Sequence, residues 1–156
     1  KIADKYKKMI GWQIRTTELQ HSKKSSAAEI KEDEAKQIGA KITNGSYIVV
    51  LDLVGKQISS EGFSTVFAKQ MMLGKSIDFI IGGAFGLDEI ILKTANIKLC
   101  LSEMTFPHQL VKVILLEQIY RAQTILDNRC FFIEAINNNL CDFSLVFLIF
   151  LTCLLV

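Results

Sequence analysis

The middle of the chain alternates between short apolar runs and longer amphipathic segments. The apolar runs at 46–53, 77–83 and 97–102 are rich in Ile, Val and Leu and carry one charge each. Such runs are typical of strands that are buried on both faces of a parallel sheet. Segments 59–73 and 87–95 lie between them and place apolar residues at helical spacing. This order predicts an α/β layer fold with parallel strand pairing.

Two further helices flank this region. Ser26 precedes Glu29 by three residues, which is the spacing of a capping box, and apolar residues at helical period follow to Ile38. The last helix is predicted from Pro107 to about Leu126, with proline near its first turn, where a missing N–H costs little. Its apolar residues cover more than one stripe. We therefore expect this helix to pack on two surfaces, its own sheet and a second subunit.

Both ends of the chain differ from the middle. Residues 1–19 predict a helix followed by a strand at 12–19, and we expect the first strand of the sheet to be missing. Residues 129–156 have no clear period and end in 14 uncharged residues, whereas a membrane span needs about 20. The pattern predicts one domain over 1–128 and an atypical apolar tail over 129–156. Four interpretations of the tail remain open, namely a core strand, a dimer-burying segment, a truncated membrane anchor and a frame-shifted artefact.

Charge and cysteine usage narrow the function classes only slightly. The formal net charge of the 156 residues is +2, but residues 1–24 carry seven Lys or Arg against two acidic residues. This basic segment either follows a phosphate backbone or forms a solvated helix face. The four cysteines have neither C-x-x-C spacing nor nearby histidines, so we expect no metal site and reduced thiols in a cytoplasmic protein.

Three segments that follow the predicted strands are candidates for chemistry. They are 51–56, 80–87 and 101–110, and the second contains three glycines. The carboxyl edge of an open α/β sheet is where ligands bind, and glycine lets the backbone approach a ligand closely. The spacing G-G-x-x-G is neither the dinucleotide fingerprint nor a P-loop. The glycines alone therefore identify no ligand.

Together with "LVKVILLEQIYRAQTI", these segments resemble the pseudouridine-specific SPOUT methyltransferases of ribosomal RNA along about Ser46 to Leu126. The resemblance implies an α/β-knotted homodimer that binds S-adenosylmethionine in the knot. It also implies methylation of N3 of a pseudouridine in bacterial large-subunit ribosomal RNA, with rRNA or the ribosome as substrate. The implied cofactor positions are Leu51, Gly82, Leu101, Ser102, Glu103, Met104, Thr105 and Phe106.

Methyl transfer to an imide nitrogen requires removal of its proton, so a base or cationic group would assist. His108 is the candidate base, although a structural role in hydrogen-bonding its loop is favoured. Arg121 either faces the RNA or pairs with Glu117, and the pair is slightly favoured.

The family's tail contains Tyr-His, and neither residue type follows Tyr120. Because of this difference, a second hypothesis is that the chain is a degenerate SPOUT domain that dimerises and binds cofactor or RNA without turnover. A third possibility is a membrane-associated protein anchored by Phe143–Val156, although we do not expect membrane association.

Overall fold

The computed structural model describes residues 1–20, 22 and 24–128 as a parallel sheet flanked by helices. The predicted α/β class is therefore confirmed. In chain order, the elements are α1 Ile2–Met9, α2 Ala27–Gly39, β1 Tyr47–Lys56, α3 Ser60–Met72, β2 Ile77–Ile81, α4 Glu89–Thr94, β3 Ile97–Leu99 and α5 His108–Leu126.

The sheet has the strand order β2-β1-β3, and both pairings are parallel. β1 lies in the centre, so that Leu51 stands opposite Ile81 on one side and Leu99 on the other. Because parallel strands need crossover connections, α3 joins β1 to β2 and α4 joins β2 to β3. All three strands therefore end at the same edge.

Successive side chains of β1 enter two separate cores. Val49 is 1% exposed and packs with Phe63, Phe67 and residues of α5, whereas Val50 is 0% exposed and packs with residues of α2 and α4. This alternation follows from the period of two along a strand. Helices thus cover both faces of the sheet, as the nearly uncharged strand sequences predicted.

Local capping defines where three of the helices begin. The Ser26 hydroxyl accepts a hydrogen bond from the Glu29 amide (3.2 Å) and donates one to the Glu29 carboxylate (2.7 Å). Ser59 accepts from the Gly62 amide at the start of α3 (3.1 Å), and Asp88 caps α4 in the same way. These side chains satisfy amide groups that the first turn of a helix leaves unpaired. The predicted starts of α2 and α3 are confirmed.

The predicted strand at 12–19 is wrong, since the described part of this segment contains no regular structure. Its side chains pack on helices instead of joining the sheet. Trp12 stacks on Phe67 with 4.9 Å between ring centroids, and Glu18 forms an ion pair with Lys112 (2.6 Å). A strand-like segment forms a strand only where a sheet edge is available to pair with it.

Three expectations about larger structure remain predictions. The structure describes the contacts of α5 with α1, α3 and β2, while its contact with a second subunit and the knot are untested. The tail at 129–156 lies outside the described residues. Among the residues that are described, no helix is long and apolar enough to span a membrane.

Candidate functional site at the carboxyl edge of the sheet

The end of β1 bends across the end of β3. Leu51 and Lys56 both stand opposite Leu99, so the backbone between them leaves the regular ladder. The Lys56 carbonyl accepts a hydrogen bond from the Cys100 amide (3.1 Å). A Cβ on Gly55 would lie 2.7 Å from the carbonyl carbons of both Leu99 and the preceding residue. Glycine is needed here because two backbones are in direct contact.

A glycine turn, residues 82–87, follows β2. Gly86 has a φ of +77° and donates its amide hydrogen bond to the Gly83 carbonyl (3.0 Å). A Cβ on Gly82 would lie 2.9 Å from the Leu87 Cγ atom. The turn is therefore closed on itself, and glycine allows both its left-handed backbone and its close internal packing.

The third loop, residues 100–107, is shaped by its own hydrogen bonds. The buried Cys100 thiol donates to the Ser102 carbonyl (3.0 Å), and the Ser102 hydroxyl accepts from the Met104 amide (3.0 Å). Leu101 and Phe106 are half-buried at the two ends of the loop. The exposed residues of the loop centre are Glu103, Met104 and Thr105.

These three segments lie side by side because β1 is central and both neighbours run parallel to it. The eight predicted cofactor positions are thus distributed over three adjacent strand ends. Each segment also exposes a large apolar side chain: Val54 is 90% exposed, Phe85 is 53% exposed and Met104 is 64% exposed. The edge therefore combines a tight backbone with apolar side chains that the described residues leave uncovered.

The two candidate catalytic residues lie apart. His108 is exposed at the first position of α5, and its side chain makes no hydrogen bond with any described residue, so the expected bond to its loop is not found. Arg121 lies thirteen residues further along the helix, about 20 Å along its axis. Its guanidinium binds the Glu117 carboxylate through Nη2 (2.5 Å) and Nε (3.0 Å). The predicted Arg121–Glu117 pair is confirmed.

A chain of polar contacts connects this pair to α3. The other carboxylate oxygen of Glu117 accepts from the Gln118 amide group, and the Gln118 carbonyl oxygen accepts from the Ser60 hydroxyl (2.8 Å). Ser60 is the first residue of α3, just beyond the bent end of β1. Arg121 is therefore tied to the element that follows the first candidate segment.

The opposite edge of the sheet has a shallow depression between α2 and α4. Ile42, Gly45, Ile48 and Ile90 are among its lining residues, and the lining contains no titratable side chain. The described residues also contain no group of three His, Cys, Asp or Glu side chains that could hold a metal ion. The carboxyl edge is thus the better candidate for chemistry.

Comparison with known proteins identifies the chain's family. A family model described as "Predicted SPOUT methyltransferase" matches residues 1–131, which is most of the chain. The chain belongs to the SPOUT methyltransferase family. The SPOUT match includes all three segments of the carboxyl edge and both α5 candidates.

Several curated SPOUT relatives carry the name "Ribosomal RNA large subunit methyltransferase H". The relative from Ruminiclostridium cellulolyticum is 49% identical over 105 residues, covering 67% of this chain and 66% of that protein. Those from Clostridium acetobutylicum and Parabacteroides distasonis are 48% and 42% identical over 112 residues, covering 70% and 71% of their own lengths. The chain thus covers slightly less than two thirds of the first relative and slightly more of the other two.

The composition of this SPOUT edge fits an adenosyl cofactor. Half-buried aliphatic and aromatic side chains, such as Leu51 and Phe106, can enclose a planar base. Gly82, Gly83 and Gly86 carry no side chain that would keep a ligand from the backbone of the turn, and a Cβ at Gly82 would clash within it. The residues that the sequence prediction missed are Gly55 and Cys100, which shape the edge, and Glu34, whose carboxylate approaches Gly83 from α2.

Proposed function

We propose that this chain transfers a methyl group from S-adenosylmethionine to N3 of a pseudouridine in large-subunit ribosomal RNA. The observation that carries the proposal is the juxtaposition of three loop segments at one edge of a parallel sheet, in a SPOUT chain. The name of the relatives supports ribosomal RNA as the substrate.

In this proposal, the three segments divide the binding of the cofactor. The apolar side chains are Leu51, Leu101 and Phe106, and they enclose the base. Gly82 offers backbone in place of a side chain, while the loop centre from Ser102 to Thr105 borders the polar part of the ligand. Hydrogen bonds within that centre hold its backbone before the ligand arrives, which lowers the entropic cost of binding.

The bound cofactor supplies a methyl group on a positively charged sulfur. The protein's contribution is to align the acceptor nitrogen with that methyl group, and alignment of two reactants contributes several kcal/mol to catalysis. His108 is exposed beside the third loop, and its imidazole makes no hydrogen bond among the described residues, so this side chain is proposed to accept the proton from the acceptor N3. Arg121 serves as a positioning residue, because its guanidinium is already bound by Glu117.

RNA binding and dimerisation complete the proposal. The amino-terminal segment exposes Lys5, Lys8, Arg15 and Lys24, and such cations attract a phosphate backbone. The exposed apolar side chains at the carboxyl edge, among them Val54, are suited to contact with a second subunit. A homodimer would thus cover the edge at which the cofactor is proposed to bind.

Isothermal titration with S-adenosylmethionine tests the cofactor site. Gly82→Trp should abolish binding, because even a Cβ at this position lies 2.9 Å from Leu87. Gly39→Trp is the matched control, since nothing lies within 4 Å of a Cβ there. A circular dichroism melt of each variant shows whether it folds, and Gly82→Ala serves if the tryptophan variant does not. Absence of binding by the folded wild-type protein would refute the proposal.

A second candidate function is cofactor binding without turnover. It is favoured by the sequence after Tyr120, which contains neither Tyr nor His. Transfer of a labelled methyl group to large-subunit ribosomal RNA separates the two functions. Methyl incorporation at a pseudouridine supports the enzyme, and His108→Ala should then lower the rate by about 10²–10⁴-fold without weakening cofactor binding. Cofactor binding without incorporation supports the degenerate domain.

A further inference from the structure

Glu34 differs from the other acidic residues of α2 in its surroundings. Glu29 accepts from the Ser26 hydroxyl, Glu32 forms an ion pair with Lys36 (2.7 Å), and Asp33 accepts from the Gln37 amide group (3.3 Å). The Glu34 carboxylate has no hydrogen bond or ion pair within the described part of the chain. It is nevertheless half-buried.

This carboxylate is directed at the glycine turn of the carboxyl edge. A Cβ on Gly83 would lie 3.1 Å from the Glu34 Oε2 atom and 3.3 Å from its Oε1 atom. Both carboxylate oxygens therefore occupy the space beside Gly83 that a side chain would otherwise take. The neighbouring Gly82 is one of the proposed cofactor positions, so a negative charge lies directly beside the proposed site.

A half-buried carboxylate without a partner is stabilised by a ligand that brings a cation or a hydrogen-bond donor. S-adenosylmethionine carries two positive charges, one on its sulfonium and one on its α-ammonium group. We infer that Glu34 is a specificity-determining residue that recognises the positive charge of the cofactor from the α2 side of the glycine turn. The inference rests on the proposed function and adds a residue from outside the three loops.

The same geometry predicts the effect of a small side chain at position 83. The clearance of 3.1 Å is tighter than ordinary contact, so an alanine there would displace the flexible end of Glu34 by a few tenths of an ångström. The backbone itself would be undisturbed, since Gly83 lacks the positive φ of Gly86. Gly83→Ala should therefore weaken cofactor binding through Glu34 and leave the fold intact.

Three ligands with different charges test the inference by isothermal titration of the full chain. S-adenosylmethionine carries both cationic groups, S-adenosylhomocysteine keeps only the ammonium, and methylthioadenosine has neither. Glu34→Gln keeps the shape of the side chain and removes its charge. Glu32→Gln is the matched control, because Glu32 lies on the same helix and pairs with Lys36. Thermal melts of all variants verify that they fold alike.

We expect Glu34→Gln to weaken S-adenosylmethionine binding about tenfold or more, as is usual for a charge-assisted hydrogen bond. Its affinity for methylthioadenosine should stay unchanged, and Glu32→Gln should match the wild type for all ligands. A parallel loss for S-adenosylhomocysteine assigns the contact to the ammonium, and retained binding assigns it to the sulfonium.

If the wild-type protein binds the cofactor, either of two results for Glu34→Gln would overturn this inference and leave the proposed function standing. One is an unchanged affinity for S-adenosylmethionine. The other is an equal loss of affinity for all three ligands, which would make Glu34 a structural residue. A wild-type protein that binds none of the three would overturn the proposed function and this inference with it.

Discussion

Gly55→Ala tests whether the carboxyl edge depends on direct contact between two backbones. The added Cβ would lie 2.7 Å from the carbonyl carbons of Lys98 and Leu99 and 2.8 Å from the Cys100 nitrogen. Ordinary contacts of a Cβ begin at 3.4 Å. All three neighbouring atoms are backbone, so no rotamer change can relieve the overlap, and β3 must move away from β1.

The cost of this movement can be worked out from its parts. Overpacking in a tight region costs about 1–3 kcal/mol. Separation of the strands also weakens the hydrogen bond between the Cys100 amide and the Lys56 carbonyl (3.1 Å), which contributes about 1 kcal/mol. Gly55→Ala should therefore lower the free energy of unfolding by about 2–4 kcal/mol. For a chain of this size, such a loss corresponds to a melting temperature lower by about 5–15 °C.

Urea denaturation and thermal melting measure the effect, with Gly39→Ala as the matched control. Gly39 is helical, and nothing lies within 4 Å of a Cβ added there. The control should be neutral or more stable by up to about 1 kcal/mol, since alanine has the higher helix propensity. A Gly55→Ala protein within about 0.5 kcal/mol of wild type, the range of ordinary surface substitutions, would refute the close backbone contact.

Three other substitutions test the packing around α5 and the core. Burial, followed by the Glu117 charge, raises the pKa of Tyr6 above its ordinary 10.0. The raised pKa thus contributes stability that is present below pH 10 and lost as the pH rises through the pKa of the folded state. The urea concentration at the unfolding midpoint should therefore fall less steeply at alkaline pH in Tyr6→Phe than in the wild type. Gln123→Ala removes the acceptor of the Gly11 amide (2.9 Å), and should lower unfolding free energy by about 1 kcal/mol and speed exchange of that amide. Phe67→Ala should cost about 3–5 kcal/mol in the same denaturation assay.

The elements that could be predicted from the sequence are those specified by their own residues. Helices α2 and α3 begin where their capping residues Ser26 and Ser59 lie, because a cap acts within one turn. The β1 run around Val49 and Val50 was identified as a strand because both faces of it are buried. These signals do not depend on any distant partner, so the local pattern was sufficient.

The failures have a common physical origin in partners that are distant along the chain. The first apolar run predicted a strand that ends at residue 53, but β1 continues to Lys56 and crosses the end of β3 at Gly55. The segment at 12–19 was predicted to be a strand, but its Trp12 stacks on Phe67. In both cases the conformation depends on a surface that forms only after the sheet and its helices have packed.

The candidate site shows the same division between local and distant information. The rule that ligands bind at the carboxyl ends of parallel strands was enough to predict that three loops lie at one edge. It could not predict that the Glu34 carboxylate lies beside Gly83, 49 residues away in the chain. The two contacts at Gly55 and Gly83 also predict different responses to alanine. Rigid backbone surrounds Gly55, whereas the end of a flexible side chain faces Gly83. Substitution at Gly55 should therefore reduce stability, whereas substitution at Gly83 should reduce cofactor affinity at unchanged stability. Measuring both quantities for both variants thus distinguishes residues that maintain the structure of the edge from residues that recognise the cofactor.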